Sequence, residues 1–268
     1  MQIAFLIFLS IIGACFGSFL CCQARRLRLK ETKHPIKSSQ HRSICLSCKY
    51  QLKWYDNLPI ISWLFLKGKC RKCGHKIGAL EFLSEIGMAL AFLAIGTTID
   101  ITTSNLLGWA IFVLVLLFTL ILGFLAIYDG AYGELPTPLL IISILCAVII
   151  LLLKEWALFS ISSYSPNLIL YPLFSILILG GLYLILYLIS KGKWVGDGDW
   201  LLGLAIGLVL GHPWLALFAL FLSNFFACIV MVPFIKGNHH RKIHFGPFLV
   251  IAFILVYSFS DLLLFYLA

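Results

Sequence analysis

The sequence Trp-Val-Gly-Asp-Gly-Asp-Trp-Leu-Leu at positions 194–202 contains two acids and separates two apolar runs. The run before it covers residues 168–190, and residues 201–210 after it carry no charge. An acid at the end of a membrane helix is costly and usually has a function. Another acid, Asp129, ends the apolar run 106–128 in a similar way. We therefore predict that Asp129 and Asp199 form one catalytic pair.

The composition defines the class of protein. The chain has 268 residues, of which 62% are hydrophobic and 12% are charged, and its mean hydropathy is +1.04. A soluble domain of this size would not have such a composition, so a polytopic membrane protein is indicated. We predict an all-α fold with about eight transmembrane helices. The apolar runs cover residues 2–22, 82–99, 106–128, 136–153, 168–190, 200–211, 213–235 and 245–267.

The sixth run is shorter than a full crossing requires. Gly211-His212-Pro213 follows it, which predicts that one helix stops there and that the next begins at once. We interpret the sixth and seventh runs as a helical hairpin whose first helix need not cross the membrane fully.

Basic residues are concentrated in one set of loops. Residues 23–80 hold fourteen of the twenty lysines and arginines, and residues 191–193 and 236–242 hold five more. The first run is uncharged and precedes its arginines, the reverse of a cleavable signal peptide. With eight crossings, this asymmetry predicts that both termini lie outside and that all basic residues except Lys154 face the cytoplasm. The net charge of +9 then indicates contact with anionic lipid headgroups, and nucleic-acid binding is not predicted.

Four cysteines lie in the only large loop, as Cys45-x-x-Cys48 and Cys70-x-x-Cys73, with 21 residues between the pairs. This spacing is typical of a structural four-thiolate zinc site. A redox dithiol and unrelated thiols are the alternatives, while the reducing cytoplasm argues against structural disulfides. We therefore predict three parts. They are a first transmembrane helix at 1–22, a zinc-binding cytoplasmic domain at 23–80 and a multi-helix membrane domain at 81–268.

Five short blocks follow one another along the chain. They are Gly17-Ser18-Phe19-Leu20, Trp54-Tyr55-Asp56-Asn57-Leu58-Pro59-Ile60-Ile61-Ser62-Trp63, Asp129 with Leu135-Pro136, Gly196-Asp197-Gly198-Asp199, and His244-Phe245-Gly246-Pro247-Phe248. In this order and spacing they resemble the prepilin peptidases, the membrane aspartic enzymes that process type IV pilin-like precursors. The chain departs from the family's pattern at His244, where the family usually has Pro, and at Trp200-Leu201, where it commonly has Val or Ile followed by Lys.

The resemblance implies that Asp129 and Asp199 are the two catalytic aspartates, with Gly196 and Gly198 supporting the second. Asp199 opens a helix, where the dipole favours an anion, and Asp129 closes one. We therefore expect Asp199 to be the ionised base and Asp129 the proton-bearing acid. Glu85 matches a family glutamate, so we expect a supporting role for it.

The remaining polar residues near these motifs have simpler interpretations. We interpret Asp197 and Glu134 as solvent-facing, and Glu81 as a carboxylate favoured at a helix start. The last loop contains His239, His240 and His244. We interpret these histidines as headgroup contacts rather than as a second metal site.

The resemblance further implies an endopeptidase of the bacterial cytoplasmic membrane. Its substrate would be a prepilin or pseudopilin precursor, cut after a glycine at the cytoplasmic face. N-methylation of the new amino terminus by S-adenosylmethionine is also implied, with the zinc-bearing loop needed for that step. Two other classes stay open: a presenilin-type intramembrane aspartic protease, which would lack the four-cysteine loop, and a non-enzymatic pilus or secretion assembly component. A transporter would be expected to have acids near the bilayer midplane and repeat symmetry.

Overall fold

The computed structural model describes residues 1–31, 44–45, 47–161, 167–192, 195–235 and 244–267. Over these residues the secondary structure is helical, and the β-type pairings are two isolated bridges. The described residues form two compact units, Met1–Gly96 and Thr97–Ala268. The helices of the first unit are α1 (Gln2–Glu31), a 3₁₀ turn (Trp54–Asn57), α2 (Ile61–Phe65) and α3 (Ala79–Gly96). Those of the second are α4 (Leu106–Tyr132), α5 (Thr137–Ile161), α6 (Asn167–Ile176), a π-helical turn (Leu177–Gly181), α7 (Leu182–Ser190), α8 (Asp199–Leu210), α9 (Pro213–Ile235), α10 (Gly246–Ser258) and α11 (Ser260–Leu267).

Prolines and glycines mark where these helices begin and end. A helix bonds its own backbone internally, which a segment surrounded by lipid requires. Pro213 is the first residue of α9, and Pro247 lies in the first turn of α10, where the missing N–H costs nothing. Gly133 and Gly211 end α4 and α8 in the left-handed conformation, at φ +71° and +64°, which glycine adopts without strain.

In the first unit, α1 packs along α3. The helices are in closest contact at Gly13 and Gly17. A Cβ at Gly17 would overlap the backbone carbonyl of Ser84 and lie 2.7 Å from the Cα of Glu85. The 30 residues of α1 span about 45 Å, which exceeds the roughly 30 Å of a hydrocarbon core. The last turns of α1 therefore extend beyond it, and there Arg25 forms an ion pair with Glu81 of α3.

In the second unit, α8 is almost entirely buried. It packs against α5, α6 and the π-helical turn. A Cβ at Gly203 would lie 2.9 Å from the carbonyl oxygen of Leu179, and one at Gly207 would lie 2.9 Å from that of Ser175. These two glycines let the neighbouring backbones approach closely. Since α8 has 12 residues and is about 18 Å long, it is too short to span the hydrocarbon core alone.

Lys154 is the one basic residue that the charge pattern predicts to lie on the other side of the membrane from the rest. Its Nζ donates to the carbonyl oxygen of Val209 at 2.9 Å and lies 4.6 Å from the centre of the Tyr257 ring. Val209 belongs to the last turn of α8, whose carbonyls have no partner within the helix. Lys154 therefore caps the C-terminal end of this buried helix, where a cation is also favoured by the dipole.

The predicted fold class is confirmed. Among the described residues, six helices are long and apolar enough to cross a membrane, and a seventh span results if α10 and α11, which meet at 68°, are counted together. The sixth apolar run, which the sequence predicted to be short, is α8; the helix stops at Gly211 and the next one begins at Pro213, as expected. The predicted division at residues 22 and 80 stays a prediction. In the structure α1 continues to Glu31 and the compact units divide after Gly96.

The packing of α1 on α3 leads to a test with a matched control. Gly17→Ala should lower the free energy of unfolding by about 1–3 kcal/mol, because the added methyl group overlaps backbone that cannot rotate away. At Gly87, in α3, an added Cβ meets nothing within 4 Å. Gly87→Ala should therefore be neutral or slightly stabilising. Thermal unfolding of both variants in detergent measures the difference, and equal midpoints would contradict this packing.

Candidate active site and metal centre

Asp129 lies in the last turn of α4, close to the end of that helix at Tyr132. It is buried, with 5% of its surface exposed. The backbone N–H of Gly246 donates to its Oδ2 at 2.9 Å, and a Cβ at Gly246 would lie 2.8 Å from the same oxygen. Glycine at this position therefore allows the start of α10 to approach the carboxylate.

Asp199 is the first residue of α8, and 6% of its surface is exposed. Its Oδ2 accepts a hydrogen bond from the backbone N–H of Gly196 at 2.8 Å. In return, the backbone N–H of Asp199 donates to the carbonyl oxygen of Gly196 at 3.3 Å. The Gly-x-Gly-Asp motif thus forms a tight turn that holds its own aspartate at the start of a helix.

Gly198 brings the two aspartate-bearing segments into contact. A Cβ at Gly198 would lie 2.6 Å from the Cβ of Leu135, and Leu135 belongs to the short turn that connects α4 to α5. Any larger residue at position 198 would push this turn away. Close packing therefore explains the glycine at position 198, which has no unusual backbone conformation.

Asp129 and Asp199 line one cavity of about 700 Å³. Glu134 and Asp197 also line the cavity, but both are exposed. Among the described residues that form its wall there are four carboxylic acids and no lysine or arginine.

His244 lies in the last loop, as predicted, but it also lines this cavity, which was not predicted. Its Nδ1 contacts the backbone carbonyl oxygen of Asp129. A Cβ at Gly133 would lie 2.9 Å from the Cε1 of His244. The interpretation of His244 as a headgroup contact is therefore replaced by a contact with the segment that carries Asp129. His239 and His240 lie outside the described residues, so their interpretation stays a prediction.

Gly196 was expected to support Asp199, but the donor groups to the two carboxylates were not predicted. Both are backbone N–H groups, those of Gly196 and Gly246, and a backbone donor leaves no mark of its own in a sequence. The available signals were the Gly-x-Gly-Asp motif, which contains Gly196, and the closing block, in which Gly246 stands two residues after His244.

The geometry of the cavity suits acid–base chemistry. Two carboxyl groups that face one space cannot easily both be charged, so such a pair shares a proton. One member can then accept a proton from water while the other donates one. Glu134 and Asp197 in its wall are exposed, so the cavity reaches the surface of the protein.

The four cysteines of the loop come together in the first unit. The Sγ atoms of Cys45, Cys48, Cys70 and Cys73 all lie within 4.8 Å of one another, in a group that could hold a metal ion. The Sγ atoms of Cys45 and Cys73 are 3.8 Å apart, and those of Cys48 and Cys70 are 4.0 Å apart. Sulfur atoms at about 2.3 Å from one tetrahedral ion would be roughly 3.8 Å apart, so the cluster fits such an ion closely.

The two cysteine pairs lie on turns of the same construction. The N–H of Cys45 donates to the carbonyl oxygen of Tyr50, and that of Cys70 donates to the carbonyl oxygen of His75, both at 2.8 Å. Each turn also contains one residue with a positive φ, Lys49 at +56° in the first and Gly74 at +68° in the second. Such turns direct backbone N–H groups at the sulfur. Those of Cys73 and Lys72 lower the pKa of the Cys70 thiol to about 7. A backbone hydrogen bond from Tyr50 lowers the pKa of the Cys48 thiol, but burial and hydrogen bonds with the other three thiols raise it to about 11 overall.

Carboxylates hold the segment between the cysteine turns. The buried side chain of Asp56 accepts hydrogen bonds from Arg71 Nε at 2.8 Å and from the backbone N–H of Lys53 at 3.1 Å. Glu85 of α3 is also buried, and its Oε2 accepts the backbone N–H of Ile60 at 2.6 Å. Ile60 has a φ of +63°, which is unusual for a β-branched residue. Glu85 therefore fixes a strained turn of the loop.

The chain is thus a multi-pass helical membrane protein, with two buried carboxyl groups in one unit and a four-cysteine cluster in the other. Residues 11–99 match the family model of the Bacterial Peptidase A24 N-terminal domain. The prepilin leader peptidase/N-methyltransferase of Aeromonas salmonicida (strain A449) is 31% identical over 217 residues, or 79% of this chain and 69% of that protein. The chain belongs to the prepilin leader peptidase/N-methyltransferase family, as its motifs indicated.

Two further relatives carry the same name. That of Dichelobacter nodosus is 30% identical over 217 residues, which is 78% of this chain and 68% of that protein. That of Myxococcus xanthus (strain DK1622) is 38% identical over 90 residues, which is 34% of this chain and 25% of that protein. No solved structure matches this chain.

Proposed function

We propose that this protein is a membrane aspartic endopeptidase that removes the basic leader of prepilin or pseudopilin precursors by cutting after a glycine. The observation that carries this proposal is the pair Asp129 and Asp199, which are buried and line one cavity. The acidic wall of the cavity supports a cationic substrate. The family's name supports prepilin processing.

In the proposed reaction, the carboxylate of Asp199 accepts a proton from water as the water oxygen attacks the carbonyl carbon of the glycine. Asp129, which carries the shared proton, donates to the carbonyl oxygen. When the tetrahedral intermediate collapses, the C–N bond breaks and the leaving amine receives the proton held by Asp199. Asp129 takes back a proton from a hydroxyl group of the intermediate, which becomes the new carboxyl group, and the pair is restored. The roles follow from helix position: Asp199 opens α8, where the dipole favours an anion, and Asp129 lies in the last turn of α4. The protons belong to the pair as a whole.

The proposed location is the bacterial cytoplasmic membrane, with both termini outside and the catalytic pair at the cytoplasmic face. The concentration of basic residues in the loop between α1 and α3 supports this orientation. A precursor whose basic leader remains in the cytoplasm would present its cleavage site at the membrane boundary. That boundary is where we propose that the pair acts.

We further propose that the four cysteines hold one structural zinc ion and that the new amino terminus is N-methylated with S-adenosylmethionine. Four thiolates complete a tetrahedral site and leave no position for water. Zinc would therefore stabilise the loop and take no part in hydrolysis. The N-methyltransferase in the relatives' name supports the second activity.

The catalytic pair is tested by three matched substitutions. Asp129→Asn and Asp199→Asn should each lower leader cleavage about 10⁴-fold or more, as losses of single members of a catalytic unit do. Asp197→Asn should retain most activity, because Asp197 is exposed while Asp199 is buried. Cleavage of a precursor is measured with equal amounts of membrane-inserted protein. Near-normal cleavage by either buried-site variant would refute the aspartic mechanism.

A second pair of variants tests the position of the carboxylate instead of its charge. Gly246→Ala should reduce cleavage strongly, since the methyl group would lie 2.8 Å from Asp129 Oδ2. Gly130→Ala is the control, because its Cβ would make ordinary contact, 3.6 Å from Pro247 Cγ. Similar losses in both variants would show that general disturbance of α4 and α10 explains the effect.

The zinc proposal predicts one zinc ion per chain. Cys45→Ser combined with Cys73→Ser removes one ligand from each cysteine turn and should abolish tight binding. Metal analysis of the purified protein gives the stoichiometry, and Cys228→Ser, at an exposed cysteine outside the cluster, is the control. Unchanged zinc content in the double variant would exclude the cluster as the metal site.

Methylation and cleavage should be separable. The cysteine double variant should lose methylation before cleavage, because the two aspartates belong to the other compact unit. Mass spectrometry of the processed product, with saturating S-adenosylmethionine, distinguishes the two activities. An unmodified amino terminus from the unaltered protein would reduce the proposal to the peptidase alone.

A further inference from the structure

Helix α2 exposes one apolar side. Ile61, Leu64 and Phe65 are spaced three and four positions apart along the helix, so they share a side. Their exposed fractions are 51%, 56% and 84%. We call these three residues the α2 face. Apolar exposure of this kind is expected on a helix that crosses the membrane. However, α2 has five residues and belongs to the loop between α1 and α3, so it is not a membrane-spanning helix.

The contacts that attach α2 to α3 determine where α2 lies relative to the membrane. Glu85 accepts the backbone N–H of Ile60 at 2.6 Å, and the ring of Trp63 stacks on that of Phe82 at 4.3 Å. Phe82 and Glu85 belong to the first two turns of α3. The 18 residues of α3 span about 27 Å, close to the hydrocarbon thickness of roughly 30 Å. The start of α3, and with it α2, therefore lies at the membrane boundary.

The surroundings of the α2 face match an anionic lipid surface. Lys67 and Lys69 follow α2 directly and are exposed. From residue 57 to residue 80 the chain has five basic residues and no acid. Lysines near a membrane surface are attracted to anionic headgroups. The 3₁₀ turn that packs against α2 adds Trp54, 78% exposed, a residue type enriched at membrane interfaces.

We propose that the α2 face inserts into the headgroup–acyl boundary of the anionic bilayer that α1 and α3 cross, with Lys67 and Lys69 on the phosphates. The four-cysteine loop is then held against the membrane from two sides, by its covalent ends and by α2. This contact does not depend on the proposed peptidase or methyltransferase activity.

Photo-cross-linking tests the contact in the full-length protein. Phe65→p-benzoylphenylalanine places a photoreactive ring on the α2 face, and Gln51→p-benzoylphenylalanine places it at an exposed position of the first cysteine turn. Both variants are reconstituted in nanodiscs of phosphatidylglycerol and phosphatidylethanolamine and illuminated, and the adducts are identified by mass spectrometry. Unchanged metal content confirms that the loop is folded. Position 65 should give several-fold more lipid adduct than position 51.

Three outcomes would overturn the proposal. They are equal lipid labelling at both positions, adducts at position 65 within the chain or to a second copy, and an adduct at position 65 that forms mainly with an added precursor peptide. The last would assign the α2 face to substrate.

The role of the lysines is tested separately by Lys67→Gln with Lys69→Gln, which should reduce the lipid adduct in phosphatidylglycerol nanodiscs. In phosphatidylcholine nanodiscs the same substitutions should have little effect, and an equal effect in both lipids would exclude the charge contribution.

Discussion

A carboxylate that leaves water is stable only where other donors replace its hydration, and this requirement organises the second unit. Asp129 and Asp199 each receive one backbone N–H, from Gly246 and Gly196. Both donors are glycines whose Cβ would lie within about 3 Å of the carboxylate that they hold. As a result, the end of α4 and the starts of α8 and α10 meet around one cavity.

The same unit shows how a short helix is held inside a membrane protein. At the N-terminal end of α8, the turn formed by the Gly-x-Gly-Asp motif packs against Leu135 through Gly198. At the other end, Lys154 satisfies the carbonyl of Val209. Between the ends, Gly203 and Gly207 allow neighbouring backbone to pack against the helix. Contacts along its whole length therefore fix the depth at which α8 presents Asp199.

Most of the fold could be predicted from the sequence, because a run of apolar residues in lipid has little choice but to be helical. The stop after α8 was equally predictable, since Gly211 and Pro213 act locally. The cysteine cluster was predictable as well, because each Cys-x-x-Cys pair is a local pattern in the sequence. The contact of His244 with Asp129 and the bond from Ile60 to Glu85 could not be predicted. They join residues far apart in the chain, and they depend on how helices pack instead of on any local pattern.

Glu85 illustrates the difference between a motif and its physical role. Its match to a family glutamate suggested only support of an unspecified kind. In the structure it accepts a backbone N–H from a residue with positive φ. Asp56 acts in a similar way on the other side of the same segment, through Arg71. The loop signature between the cysteine pairs is thus held by two buried acids, one from α3 and one from within the loop.

The glycine contacts between α1 and α3 have a consequence for the entropy of the loop that joins them. The loop joins the end of α1 at Glu31 to the start of α3 at Ala79, and α1 packs along α3. Part of the closure of this loop is therefore provided by the contact between the two helices and not by the cysteine turns. Once the ends are fixed, doubling the length of such a loop costs only about 0.6 kcal/mol. The segment between α1 and α3 can therefore be lengthened or shortened with little effect on the stability of the helices themselves.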